Sequence, residues 1–162
     1  MTAPALVVFD CNVLLQSMLS APGPAGMCLA LVEARRVRPV LSAFVIAEVR
    51  ALPTHPDLKR FPSLTPERVE AFLSHLLARS TLISPVPEVF TMDRDPADAH
   101  YVNLALAAGA TLIVSRDNDL LALADAARPE GREFRARFPS LRILRPHEFL
   151  LTVGPTGQAG SP

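Results

Sequence analysis

Four carboxylates stand where a chain built only to fold has little use for them. Asp10 follows the apolar run Leu6-Val7-Val8-Phe9, and Asp117 follows Leu112-Ile113-Val114 after two residues. Glu48 lies within the apolar stretch Phe44 to Leu52, and Asp98 sits in the first turn of a helical stretch opened by Asp95-Pro96. Carboxylates brought within ~4–6 Å of one another repel, and must bind protons or share a cation. A set of hard oxygen ligands without His or Cys suits Mg²⁺ or Mn²⁺ rather than Zn²⁺. Such an ion belongs to phosphate chemistry, where it activates water and neutralises developing charge. Each acid also has an ordinary structural role open to it. Asp98 could be the third-position acid of its own helix cap, Asp117 (or Asn118 or Asp119) an N-cap, Glu48 a solvated residue, and Asp10 the cap of the next helix.

The remaining chemistry-bearing residues form weaker patterns. His55, His75, His100 and His147 lack metal-ligand spacing and read as surface or partly buried residues. Cys11 beside Asp10 reads as a small residue at the core edge, and Ser115 has no evident His partner for a hydrolase triad. No phosphate-binding glycine loop of the GxxxxGK or GxGxxG type is present. Arg35, Arg36 and Arg38 form one basic cluster and Arg128, Arg132, Arg135 and Arg137 another, both read as solvated surface.

The elements that must position the acids follow from periodicity. A continuous apolar run such as Leu6–Phe9 reads as a strand buried on both faces of a parallel sheet. Its carboxyl end is where open α/β sheets place their ligand crevice. Strands are expected at Leu6–Phe9, Pro39–Leu41, Leu82–Ile83, Ala110–Val114 and Leu141–Leu144. Helices are expected at Val13–Leu19, Ala25–Arg36, Ala43–Leu52, Thr65 to about Arg79, Asp95–Gly109, Leu120–Ala127 and Pro146–Leu151. Ser42, Thr65 and Asp95 are N-cap candidates, with Pro66 and Pro96 at first helical positions and Gly109 as a C-terminal stop. Pro53–Pro62 reads as a mobile loop and Pro85–Thr91 as an extended linker. Alternation of strands with helices argues for a parallel α/β sandwich. If the strands that end at Asp10 and Asp117 are neighbours, both carboxylates share one crevice.

The bulk properties set the frame. A chain of 162 residues suits one domain, here residues 1–153, followed by a Gly/Pro-rich tail at 154–162 expected to be disordered. No apolar run approaches the ~18 residues of a membrane span, no signal peptide is evident, and two cysteines make no disulfide framework, so a cytoplasmic location is expected. The formal net charge is zero, with Lys59 the one Lys, so the molecule as a whole is no magnet for nucleic acid.

Taken together, these residues resemble the PIN-domain nucleases, closest to the bacterial branch of toxin–antitoxin toxin components. The resemblance rests on Val7-Val8-Phe9-Asp10-Cys11-Asn12-Val13-Leu14-Leu15, on Leu41-Ser42 through Glu48, on Asp95-Pro96-Ala97-Asp98 leading to Leu104 through Ala110, and on Ile113 through Leu121. The ending Arg145-Pro146-His147-Glu148-Phe149-Leu150 is also similar, so the likeness spans roughly residues 5–152. It implies a three-layer α/β/α sandwich with a parallel sheet of order 3-2-1-4-5. It also implies Mg²⁺- or Mn²⁺-dependent hydrolysis of single-stranded RNA. By position, Asp10, Glu48, Asp98 and Asp117 match the family's metal-holding catalytic quartet, and Asn12, Ser115 and Asp119 its supporting polar residues. Cys11 stands for a usual Thr and Ser115 for a commoner Thr, while Arg116 could reach a substrate phosphate or crowd the site. The partners implied are single-stranded RNA, a cognate antitoxin and a second copy of the chain in a homodimer. The alternative reading is a catalytically weak PIN-fold module that binds RNA or protein. Zero net charge, the absence of Trp and a single Tyr, Tyr101, leave no evident aromatic platform for RNA.

Overall fold

The computed structural model describes residues 3–154, so all of the expected tail except Gly154 lies outside the described residues. Five parallel strands form one sheet: β1 (Ala5–Phe9), β2 (Val37–Leu41), β3 (Thr81–Leu82), β4 (Leu112–Val114) and β5 (Arg142–Leu144), in the order β3-β2-β1-β4-β5. β1 and β4 are neighbours as the acids required, with Val7 opposite Leu112 and Phe9 opposite Val114. The hydrogen-bond ladder continues one residue beyond each strand, from Asp10 N–H to Val114 C=O at 3.1 Å and from Ser115 N–H to Leu144 C=O at 2.9 Å. Asp10 and Ser115 are thus fixed by the sheet itself rather than by a free loop.

Helices α1 (Cys11–Leu19), α2 (Pro24–Glu33), α3 (Ala43–Ala51), α4 (Pro66–Leu77), α5 (Pro96–Ala108), α6 (Asn118–Ala122), α7 (Pro129–Arg137) and α8 (Pro146–Val153) surround the sheet in a three-layer α/β/α arrangement. Asp10, Ser42, Thr65, Asp95 and Asp117 cap five of them through their side chains. Three of these capped N-termini, those of α1, α3 and α6, directly follow strands or the turn after them, and so lie at the carboxyl edge of the sheet. Helix α5 packs across β1, β2 and β4. It is buried almost all round, through Ala99, Tyr101, Val102, Asn103, Leu104 and Ala105. Gly109 ends it in the left-handed conformation (φ 69°), where a glycine carries no Cβ penalty. The core runs through the sheet, with Phe9 edge-on to Phe149 at 5.9 Å. Burying a Phe contributes about 1.5–3 kcal/mol.

Beyond shifts of a few residues at element ends, such as the second helix stopping at Glu33 rather than Arg36, the structure departs from the sequence reading in four places. The second strand begins at Val37, because Val37 is buried and the exposed Arg38 reaches across to Thr81 Oγ1 at 2.7 Å. The three-proline stretch holds two single-turn 3₁₀ helices, Leu52–Thr54 and Pro56–Leu58, anchored by buried Leu52. The helix expected at Leu120–Ala127 is Asn118–Ala122, and the chain turns where Asp125 Oδ1 accepts Ala127 N–H at 2.9 Å. Helix α7 spans a stretch that the sequence marks only as a basic cluster. Phe134 is its one large buried side chain, so no apolar stripe marks it, and Gly131 packs against the Asp125 carbonyl. The linker after β3 forms no helix or strand, and buried Asn103 holds it: its Oδ1 accepts Val89 N–H and Phe90 N–H (3.0 and 2.8 Å), and its Nδ2 donates to Phe90 C=O (2.9 Å). No helix among the described residues is long and apolar enough to cross a membrane.

Candidate active site

Asp10 is 3% exposed and uses both carboxylate oxygens. Oδ1 accepts Val13 N–H at 2.8 Å, which caps α1, and Oδ2 accepts the Ser115 hydroxyl. Ser115 Oγ in turn accepts Asp117 N–H at 2.9 Å. One fully buried hydroxyl thereby ties the end of β1 to the turn after β4. Burial raises the Asp10 carboxyl above the ordinary range, and the Ser115 hydroxyl and the amides of Val13 and Arg116 oppose that rise.

Asp117 caps α6, its Oδ1 accepting the amides of Asp119 (2.8 Å) and Leu120 (3.2 Å). Asp98 faces it from the first turn of α5. Its Oδ2 is buried with no hydrogen-bond partner among the described residues. Burial, then the Asp117 carboxylate beside it, push the Asp98 carboxyl up to about 8. Oxygens of Asp98, Asp117 and Asp119 all lie within 4.8 Å of one another. Asp119 also meets Arg94 at 3.4 Å. Three acids from two helix starts crowd one point, and among the described residues only Asp119 has a cation in contact.

Glu48 enters from α3. Its Oε1 accepts the Tyr101 hydroxyl at 2.6 Å, and that hydroxyl accepts Cys11 N–H at 3.1 Å. The relay fixes Glu48 to the first residue of α1, next to Asp10. Burial raises the Glu48 carboxyl, Tyr101 opposes the rise, and the Asp10 charge adds to it. Burial and the Glu48 carboxylate hold the Tyr101 phenol far up in its protonated form, so it acts as a donor. Burial pushes the Cys11 thiol up to about 12, which suits a packing role rather than a nucleophile. Asn12 is exposed in the first turn of α1, and Arg116 is exposed in the turn after β4. Arg116 lines a groove of about 270 Å³ with Asn118, Arg145 and His147.

All seven sequence-singled acids and polar residues therefore stand at one edge of the sheet. The tightest trio is Asp98, Asp117 and Asp119, with Asp10 joined through Ser115 and Glu48 through Tyr101. The role of Tyr101 was missed. Its signal lay in spacing, for Tyr101 follows Asp98 by three and so shares its helix face. The donor set is all oxygen, crowded and short of positive charge, with one carboxylate oxygen buried and orphaned. That combination fits a hard divalent cation.

A family model described as PIN domain matches residues 6–119 of the chain. The fold is also similar to that in the crystal structure of VapBC2 from Rickettsia felis bound to a DNA fragment from their promoter, at a TM-score of 0.52 and 15% sequence identity over 86% of this chain and 98% of that one. No curated protein sequence matches the chain.

Proposed function

The chain belongs to the PIN-domain family, and from that membership we infer that it is an Mg²⁺- or Mn²⁺-dependent endoribonuclease that hydrolyses phosphodiesters of single-stranded RNA. The observation that carries this reading is the trio of carboxylate oxygens of Asp98, Asp117 and Asp119 within 4.8 Å of one another, with Asp98 Oδ2 buried and without a hydrogen-bond partner among the described residues. Asp10, Asp98 and Asp117 would hold the cation, with Asp119 and Glu48 beside them. A divalent ion bound there supplies charge neutralisation at the attacked phosphate and makes water a stronger nucleophile.

The chain's own residues do the rest. Ser115 holds Asp10 in one orientation by donating to Oδ2, and α1 holds Oδ1 through Val13 N–H. Glu48, raised by burial, takes a proton more readily than an ordinary carboxylate, which suits it to receive one from the attacking water. Tyr101 occupies Glu48 Oε1 and leaves Oε2 for that task. Water adds across the P–O bond, so that one product keeps the phosphate and the other gains a hydroxyl. Arg116, exposed at the same edge, would meet a phosphate of the strand.

We take residues 1–153 as the nuclease domain and read it as the toxin of a toxin–antitoxin pair acting as a homodimer. The sequence resemblance is the ground for both readings, and the fold shared with VapBC2 is consistent with pairing to an antitoxin. The test is cleavage of a mixed single-stranded RNA pool in EDTA, Mg²⁺ or Mn²⁺, beside an Asp10→Asn variant. Cleavage that needs both metal and Asp10 is expected. Metal-dependent cleavage retained by a folded Asp10→Asn protein would overturn the assignment.

A further inference from the structure

Helices α3 and α5 meet twice. The inner contact is the Glu48–Tyr101 bond beside the acids. The outer one is Phe44 against His100, with ring centroids 4.4 Å apart and planes 36° apart. Phe44 precedes Glu48 by four residues, so the two share one face of α3 about one helical turn, ~5.4 Å, apart. His100 adjoins Tyr101 on α5. The aromatic pair is therefore one step out from the candidate site along the same helix–helix seam.

The His100 ring is held in place. Ser42, 3% exposed, accepts Val45 N–H on its hydroxyl oxygen at 3.3 Å. That hydroxyl has its own proton left to donate, and His100 Nε2 lies 2.6 Å away. The hydrogen bond between them fixes the ring at Nε2. Phe44 is not buried by this packing, for it remains 41% exposed. Both rings line a groove of about 490 Å³ with Val86, Phe90, Met92 and Asp93. Asn103 fixes the far wall by holding Val89 and Phe90. A preorganised aromatic pair whose Phe44 ring stays 41% exposed, beside the proposed phosphodiester-cleaving centre, offers an unpaired base a ring face to stack on, and every base has a face to stack.

We propose that Phe44 and His100 are the stacking platform for one unpaired base of the single-stranded RNA, the base of a nucleotide next to the cleaved phosphodiester. This rests on the ribonuclease reading above. The platform supplies affinity with little base preference, since stacking rather than hydrogen bonding carries it. It also gives the chain the aromatic surface that its lack of Trp and its buried Tyr101 had seemed to deny it.

The experiment is Mg²⁺-dependent cleavage of one defined RNA by the full chain, with a single abasic site moved along the nucleotides flanking the cut. Wild type is expected to lose about 5- to 150-fold in kcat/KM at one position, the range that loss of one base–aromatic stack gives. Phe44→Leu, which keeps the apolar contact but not the flat face, should lose a similar factor on intact RNA and nothing further on RNA abasic at that position. Phe44→Trp should restore the intact-RNA rate, and His100→Ala should weaken the same position. Full effects that multiply between variant and abasic site would overturn the platform, as would an abasic scan flat at every position; either would leave the groove to a protein partner. Absence of any metal-dependent RNA cleavage by wild type would instead overturn the ribonuclease reading itself.

Discussion

The crowding of Asp98 against Asp117 and Asp119 makes the metal-free protein less stable than its fold allows, and Asp98→Asn should release that strain. Asp98 binds its proton far more tightly folded than free, with its carboxyl moved from an ordinary 3.8 up to about 8. Each factor of ten in proton affinity is worth ~1.4 kcal/mol, so the ceiling on the cost at high pH is on the order of 5–6 kcal/mol. Asp117 and Asp119 are only half-buried, so water and salt relieve part of the repulsion, and the amide of the variant still has to be buried. A gain of ~1–3 kcal/mol remains, or roughly 3–10 °C in Tm for a domain of this size. The sign follows from linkage. The folded state holds the proton longer than the unfolded chain, so wild type loses stability as pH rises from ~4 and stops losing it above ~8. The variant, with nothing to titrate at 98, escapes that loss. Thermal unfolding followed by circular dichroism in EDTA at pH 5 and pH 8.5 should show under about a third of the gain at the lower pH. Mg²⁺ should then close the gap by stabilising wild type alone, by ~2.7 kcal/mol at a hundredfold excess over its Kd. An Asp98→Asn gain that is absent, or that is the same at both pH values, would refute the electrostatic account.

Two further perturbations probe the supports of the site. Tyr101→Phe removes the donor to Glu48 and the acceptor of Cys11 N–H, so urea unfolding should show a loss of ~1–3 kcal/mol, and kcat should fall with little change in KM. An unchanged kcat would remove Glu48 orientation from the mechanism. Gly131→Ala places a Cβ 1.9 Å from the Asp125 carbonyl oxygen, backbone that cannot swing aside, so Tm should fall by the equivalent of ~1–3 kcal/mol. A neutral substitution would mean that α7 does not dock as closely as this contact requires.

What the sequence made legible is what obeys local rules. The two apolar strands ending near Asp10 and Asp117 are neighbours, and the caps at Ser42, Thr65, Asp95 and the stop at Gly109 all form. What it hid depends on partners distant in the chain. Helix α7 carries one large buried residue, Phe134, whose contacts are Phe90 and Phe138 at 5.3 and 5.2 Å, so no local period announces it. Asn103 looks like an intruder on an apolar face until the strap at Val89 and Phe90 is seen to need its amide. His100 lacks ligand spacing because its partners, Ser42 and Phe44, come from another helix start 58 and 56 residues earlier in the chain.

The choice between capping and catalysis, posed acid by acid in the sequence, dissolves in the structure because a carboxylate has two oxygens. Asp10 spends Oδ1 on the start of α1 and Oδ2 on Ser115, and Asp117 spends Oδ1 on two amides of α6. The helix N-termini that these acids satisfy carry partial positive charge, so capping is also what makes a cluster of negative groups tolerable at the sheet edge. Asp98 is the exception. Its helix is capped by Asp95, so Asp98 Oδ2 has no capping task and stays buried with no hydrogen-bond partner among the described residues. A residue that folding does not need, and that folding pushes toward holding a proton at pH 8, is best accounted for by a positive charge that arrives later.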